Sequence, residues 1–170
     1  MSEDHSVERT EDGRYLIISG RKWRASDPGI PPKLRQELVD ELMKARREVG
    51  QGNGEARTRV HEAKLALGER GQPWWEEPLV DKLEERIRAT IFTLLRKRQG
   101  SSICPSDVAR IVGGGGERWR SQMERVRQVA ASLAADGSIR VTQKGHDVDA
   151  LNVRGPLRLH LAGISPQEQD

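Results

Sequence analysis

The apolar period of this chain changes once, and abruptly. In "ERVRQVAASLAADGSIRVTQKG" (124–145), apolar residues recur every three or four positions up to Leu133, then every second position from Ile139. Ala-Asp-Gly (135–137) stands at the change and reads as a glycine-terminated helix stop. A helix therefore runs straight into a strand. The alternation of Ile139 and Val141 with Arg140 and Thr142 commits one face of that strand to a core. Lys144-Gly145 begins a turn, so the strand returns as a hairpin. A fold for this chain must close a helix–hairpin junction over apolar partners supplied from elsewhere.

Those partners lie upstream. Val80, Leu83, Ile87, Ile91, Leu94 and Leu95 form a helical stripe ending in "RKRQG". "SSI" reads as a short strand. "CPSDVARIVGG" reads as a brief helix with Pro105 at its first position and Val108, Ile111 and Val112 facing inward. Gly113–Gly116 breaks the chain as a flexible turn, and a third helix runs from about Arg118 to Ala135. After the turn at Lys144, "ALNVRGPLRLHL" reads as the return strand, with Leu151, Val153, Leu157, Leu159 and Leu161 on one face.

Nearer the N-terminus, "RYLIISGRKWRAS" offers two extended runs about Ser19-Gly20, a β-hairpin. Leu34, Leu38, Leu42 and Ala45, then Ala56, Val60, Ala63 and Leu67, describe two amphipathic helices joined at "GQGNG". "QPWWEEP" reads as a corner, with Trp74 and Trp75 covering the seam between halves. The expected fold class is mainly α with small β. Residues 1–13 and 163–170 read as disordered tails, 14–72 as a β-hairpin plus αα-hairpin, 73–78 as a linker, and 79–162 as a second domain.

The order helix, short strand, helix, helix, strand, turn, strand resembles a winged helix-turn-helix domain over residues 79–162. "CPSDVAR" and "AADGSIRVTQKG" are the most specific pieces. "VTQKGHDVDALNVRGPLRL" is similar to the ending of a bacterial family of small winged-helix domains of unknown function. The resemblance implies a fold and no settled activity.

Charge bears on partners. Residues 79–162 hold fifteen Lys/Arg against nine Asp/Glu, whereas residues 1–78 hold fourteen against fifteen. A basic half beside a near-neutral one suits an anionic partner, usually nucleic acid. Cys104 is the only cysteine, which excludes an intrachain disulfide and any multi-cysteine metal site. The polar N-terminus carries no signal-peptide pattern and no apolar run reaches membrane-spanning length, so the expected location is cytoplasmic, with no membrane partner.

The third helix supplies the first candidate site. At about 100° per residue, Trp119, Met123, Val126, Ala130 and Leu133 form the core stripe. Arg118, Ser121, Arg125, Gln128 and Ser132 face the other way, with Glu124 beside them. In a winged helix that outward face enters the major groove, where Arg and Gln pair with guanine and adenine edges. The plain alternative is a solvated helix face. The hairpin supplies the second. Inward Ile139, Val141, Leu157 and Leu159 send Arg140, Thr142, Arg154 and Arg158 outward, with Lys144 at the turn. Like charges on one small ribbon repel one another unless an anion lies across them, and guanidinium takes phosphate bidentately.

"SGRKWRAS" interleaves Arg21, Lys22 and Arg24 with Trp23, a composition that binds single strands by stacking and charge. The better-supported reading packs Trp23 on the αα-hairpin. "GGGGERW" lacks the ending of a phosphate loop. His5, His61, His146 and His160 are scattered, Cys104 reads as buried and structural, and no nucleophile–base–orienter set is placed together. The sequence gives no catalytic residue, metal site or cofactor. It points to a non-enzymatic protein that binds duplex DNA, a regulator or accessory factor. The competing class is a protein-interaction module or dimerisation adaptor whose sticky surface is the αα-hairpin with Trp74-Trp75.

Overall fold

A computed structural model of the chain describes residues 7–163. The outer parts of the two expected tails, 1–6 and 164–170, lie outside the described residues. Within them the fold is mixed: five α-helices, one 3₁₀ turn and two three-stranded antiparallel sheets.

The N-terminal sheet has the order β1 (Glu8–Arg9), β2 (Tyr15–Ile18), β3 (Arg21–Arg24). The expected hairpin is present, with both turn residues, Ser19 and Gly20, at positive φ as its tight turn requires. Strand β1 stands where a tail was expected. The Thr10–Gly13 turn folds it back: the Gly13 N–H donates to the Thr10 carbonyl and the Thr10 hydroxyl to Asp12. Glu8 then lies opposite Ile17, and Arg9 opposite Leu16.

Helices α1 (Pro32–Gly50) and α2 (Ala56–Leu67) form the αα-hairpin. Leu34, Leu38, Leu42 and Ala45 are buried as their period predicts. Glu41 is buried among them, and Arg59 of α2 donates Nε–H to its carboxylate at 2.9 Å. α2 buries more than one stripe because it lies against both α1 and α3 (Val80–Lys97).

After α3 come a single bridge at Ile103, α4 (Pro105–Val112), the 3₁₀ turn Arg118–Gln122, α5 (Met123–Ala135), β4 (Ile139–Gln143), β5 (His146–Asp147) and β6 (Arg158–Leu161). The expected third helix thus opens as a 3₁₀ turn. The return strand is much shorter than expected. Gly155 has φ +91°, Pro156 has no N–H to give a ladder, and Asp149 caps a turn by accepting from the Leu151 N–H. Leu151, expected inward, is exposed. The sheet order is β5-β4-β6, with Ile139 opposite Leu161 and Val141 opposite Leu159. Ile103 and Leu159 exchange backbone hydrogen bonds at 3.0 and 2.9 Å.

One buried cluster runs through both halves, from Leu38 and Leu67 through Ile87, Ile91 and Leu94 to Ile111, Val126, Ile139 and Leu159. Helix α3 itself makes the seam by packing on α1 and α2. Trp74 and Trp75 border that seam, lining a cleft with Leu83, Arg86 and Val112; Trp74 donates its indole N–H to the Ala25 carbonyl at 2.9 Å, and Trp75 stands edge-on to Tyr15.

Candidate nucleic-acid interface

Val126, Ala130 and Leu133 of α5 are buried, and Trp119 and Met123 are partly so. The expected core stripe therefore forms. Glu124, Gln128 and Ser132 point outward and are exposed. Arg125 does not join them: its Nη1 donates to Glu84 of α3 at 3.2 Å. Gln128 and Ser132 share a shallow groove with Asp81, Glu84, Glu85 and Asp136, an acidic setting.

The other flank of α5 carries Arg127, which the sequence reading passed over. Its guanidinium donates to the Val153 carbonyl at 2.9 Å and the Gly155 carbonyl at 2.6 Å, so the loop after β5 is strapped against the helix. The helical wheel places Arg127 at the edge of the core stripe. That the loop would need a donor there follows only from its lack of ladder partners.

The 3₁₀ turn is set by a close approach. A Cβ on Gly113 would sit 2.5 Å from Trp119 Cα and 2.7 Å from the Ala109 carbonyl oxygen, whereas one on Gly115 would meet nothing within 4 Å. The glycine run is thus a built joint between α4 and the turn. Arg110 and Arg120 lie over the Trp119 ring at 4.7 and 4.8 Å. Ser121 spends its hydroxyl on the Arg118 carbonyl at 2.7 Å, and the Arg118 side chain is exposed.

On the hairpin, the register puts Arg140, Thr142, Arg158 and His160 on the sheet's outer face. Arg140 pairs with Asp147 at 2.9 Å. Arg158 donates to the Ser102 hydroxyl at 2.7 Å and the Ser102 carbonyl at 2.9 Å. Thr142, expected outward, is buried there and hydrogen-bonded with His160 Nε2 at 2.8 Å. Burial, then Arg140 and Arg158, hold the His160 pKa below the usual histidine value, with Asp147 opposing. Lys144 and Arg154 are exposed. Gln143 fixes the backbone of residue 154 by donating to its carbonyl at 2.6 Å. Lys144 occupies the first position of the turn at φ +51° with Gly145 at +81°.

Of the eight candidate residues, Arg118, Lys144 and Arg154 present cations without side-chain partners among the described residues. Arg125, Arg140 and Arg158 are engaged inside the chain, Ser121 bonds its own turn, and Gln128 is exposed beside carboxylates. Cys104 is half-buried and accepts from Ser106 at 3.0 Å. Among the described residues no group of three or more His, Cys, Asp or Glu is placed to hold a metal, and no helix is long and apolar enough to cross a membrane.

The second half of the chain is thus a small α/β domain with a hairpin strapped to its last helix. Residues 84–162 match the family described as a protein of unknown function (DUF3253), which covers α3 from Glu84 through β6. The chain matches none of the curated proteins with which it was compared.

Proposed function

We propose that residues 79–162 are a winged helix-turn-helix that binds duplex DNA in the cytoplasm, as a regulator or accessory factor without catalysis. The order α3, Ile103 bridge, α4, α5, β4, β6 supports the fold reading, as does the pairing of β4 with β6. Lys144 carries the functional reading. A left-handed backbone costs an L-residue roughly 1–2 kcal/mol, and Asn or Gly suits a turn of this type better. Ser19 takes the same conformation in the N-terminal hairpin, so the positive φ belongs to the turn; what lysine adds here is a cation held at an exposed tip. Arg154 and Arg118 add exposed charge. The proposed contacts are to phosphate, because α5 faces outward with Glu124 and Gln128 while Arg125 is turned to Glu84.

The test is Lys144→Asn, measured by anisotropy of a random-sequence duplex across salt concentrations. The variant should lower the slope of log affinity against log salt by about 0.9, one phosphate's worth. It should also raise stability by up to about 1 kcal/mol as the turn relaxes. A wild-type protein that fails to bind any duplex at low salt overturns the proposal.

The exposed pair Leu79 and Val80 at the start of α3 favours a second reading, a docking face for a protein partner or a second copy. Under it the protein self-associates or pulls down a partner, and Lys144→Asn changes neither.

A further inference from the structure

The N-terminal sheet has one covered face and one open face. Alternation puts Tyr15, Ile17, Lys22 and Arg24 on the first, where Trp75 stands edge-on to Tyr15 at 5.6 Å with Arg14 and Arg24 over its own ring. The second face carries Arg9, Leu16, Ile18, Arg21 and Trp23, since Leu16 lies opposite Arg9 and Trp23 and Ile18 lies opposite Arg21. Trp23, expected to pack on the αα-hairpin, does meet Lys64 of α2 but remains 45% exposed, and Ile18 is 46% exposed.

Cations gather around that indole. Lys64 of α2 places Nζ 5.8 Å from the Trp23 ring centroid. Burial, then the charges of Arg46 and Arg70, hold the Lys64 ammonium below its usual pKa, with Glu69 acting the other way. Lys64 is thus the cation held at the indole, and Arg21 shares the sheet face with Trp23. Arg70 is hydrogen-bonded with His61 at 2.9 Å, and Glu69 accepts from Ser26 at 2.8 Å. Such a group lowers its energy when an anion arrives.

A purely cationic surface takes any polyanion. An exposed indole set among cations adds a flat apolar ring, which a duplex cannot use because its bases are stacked on each other. An unpaired base can stack on it. We infer that this face is a binding site for single-stranded nucleic acid, with one base stacked on Trp23 and flanking phosphates held by Arg21 and Lys64. It is separate from the proposed duplex site and stands or falls independently of it.

The experiment titrates the full chain into labelled oligo(dT), followed by anisotropy across salt concentrations. Log affinity should fall with log salt by about 0.7 per phosphate neutralised. Trp23→Ala should weaken binding by about 5- to 150-fold, the range that base–aromatic stacking supplies. Trp23→Phe should restore most of it, and Lys64→Gln should lower the salt slope by about 0.7. Lys144→Asn should leave oligo(dT) binding unchanged, which separates this face from the hairpin. If Trp23→Ala fails to fold, Trp23→Phe and Lys64→Gln carry the test. Absence of binding at low salt, wild-type affinity in a folded Trp23→Ala, or equal competition by polyglutamate overturns the inference.

Discussion

Gly113 and Gly115 stand two apart in one run of glycines and serve different ends. Gly113 has an ordinary negative φ, so its lack of a side chain answers to space: Trp119 Cα and the Ala109 carbonyl leave no room for a Cβ. Gly115 borders open space. Gly113→Ala should therefore destabilise the protein by about 1–3 kcal/mol, the usual cost of overpacking. Gly115→Ala should be neutral or slightly stabilising, since it only restricts the unfolded chain. Urea denaturation of the two variants reads the difference, and equal stabilities would mean that the joint at residues 113–119 is not tight. The sequence shows the run but not which of its members is compelled, because that depends on where Trp119 arrives. The same limit applies to the candidate site. Alternation places Arg140 and Arg158 on the outer face correctly. It cannot tell that Asp147 and Ser102 wait there for them.

Helices whose apolar residues repeat every three or four positions were legible, except that Val80, expected in the α3 stripe, is exposed. The stripes of α1, α3 and α4 and the stop after Ala135 follow from spacing and glycine placement alone. What escaped was backbone organised by long-range donors. The segment 148–157 alternates like a strand, yet after the Val148 N–H bond to the Val141 carbonyl its later carbonyls go to side chains: Arg127 takes the Val153 and Gly155 carbonyls, and Gln143 takes those of residues 154 and 156. Arg127→Ala should loosen this loop as a unit. Amide exchange over 151–155 should quicken while α5 and β4 keep their protection, at a cost of about 1–3 kcal/mol for hydrogen bonds from a charged donor. Unchanged exchange in the loop would show that packing of Leu157 and Val153 suffices to hold it. Loss of protection throughout α5 would show that the strap is part of the helix's own stability.

At the scale of the whole molecule, the charge asymmetry between the halves has an internal use. Arg96 pairs with Glu62, Lys97 with Asp40 at 3.7 Å, and Arg98 with Glu37 at 2.8 Å, so the basic end of α3 is matched by carboxylates of α1 and α2. The surplus that suggested nucleic acid is thereby partly spent across the seam, leaving the argument for an anionic partner on the exposed cations alone. Deeper in the same seam, Arg86 of α3 donates to Asp27 at 3.1 Å, to the Ala66 carbonyl at the end of α2, and to the Ile111 carbonyl of α4 at 3.4 Å. One side chain thus joins the loop before α1, α2 and α4. Burial lowers the pKa of its guanidinium and Asp27 opposes that shift, so the buried cation leans on this carboxylate. Arg86→Ala should cost about 3–5 kcal/mol, because Asp27 stays buried without a counter-charge. Asp27→Asn in the same chain should return part of the loss, the sign of a coupled pair. Urea unfolding followed by far-UV circular dichroism and by tryptophan fluorescence should give coincident single transitions in both the wild type and Arg86→Ala, since the buried cluster is continuous. Two separated transitions in the wild type would mean that the halves fold independently and that the shared core does not couple them.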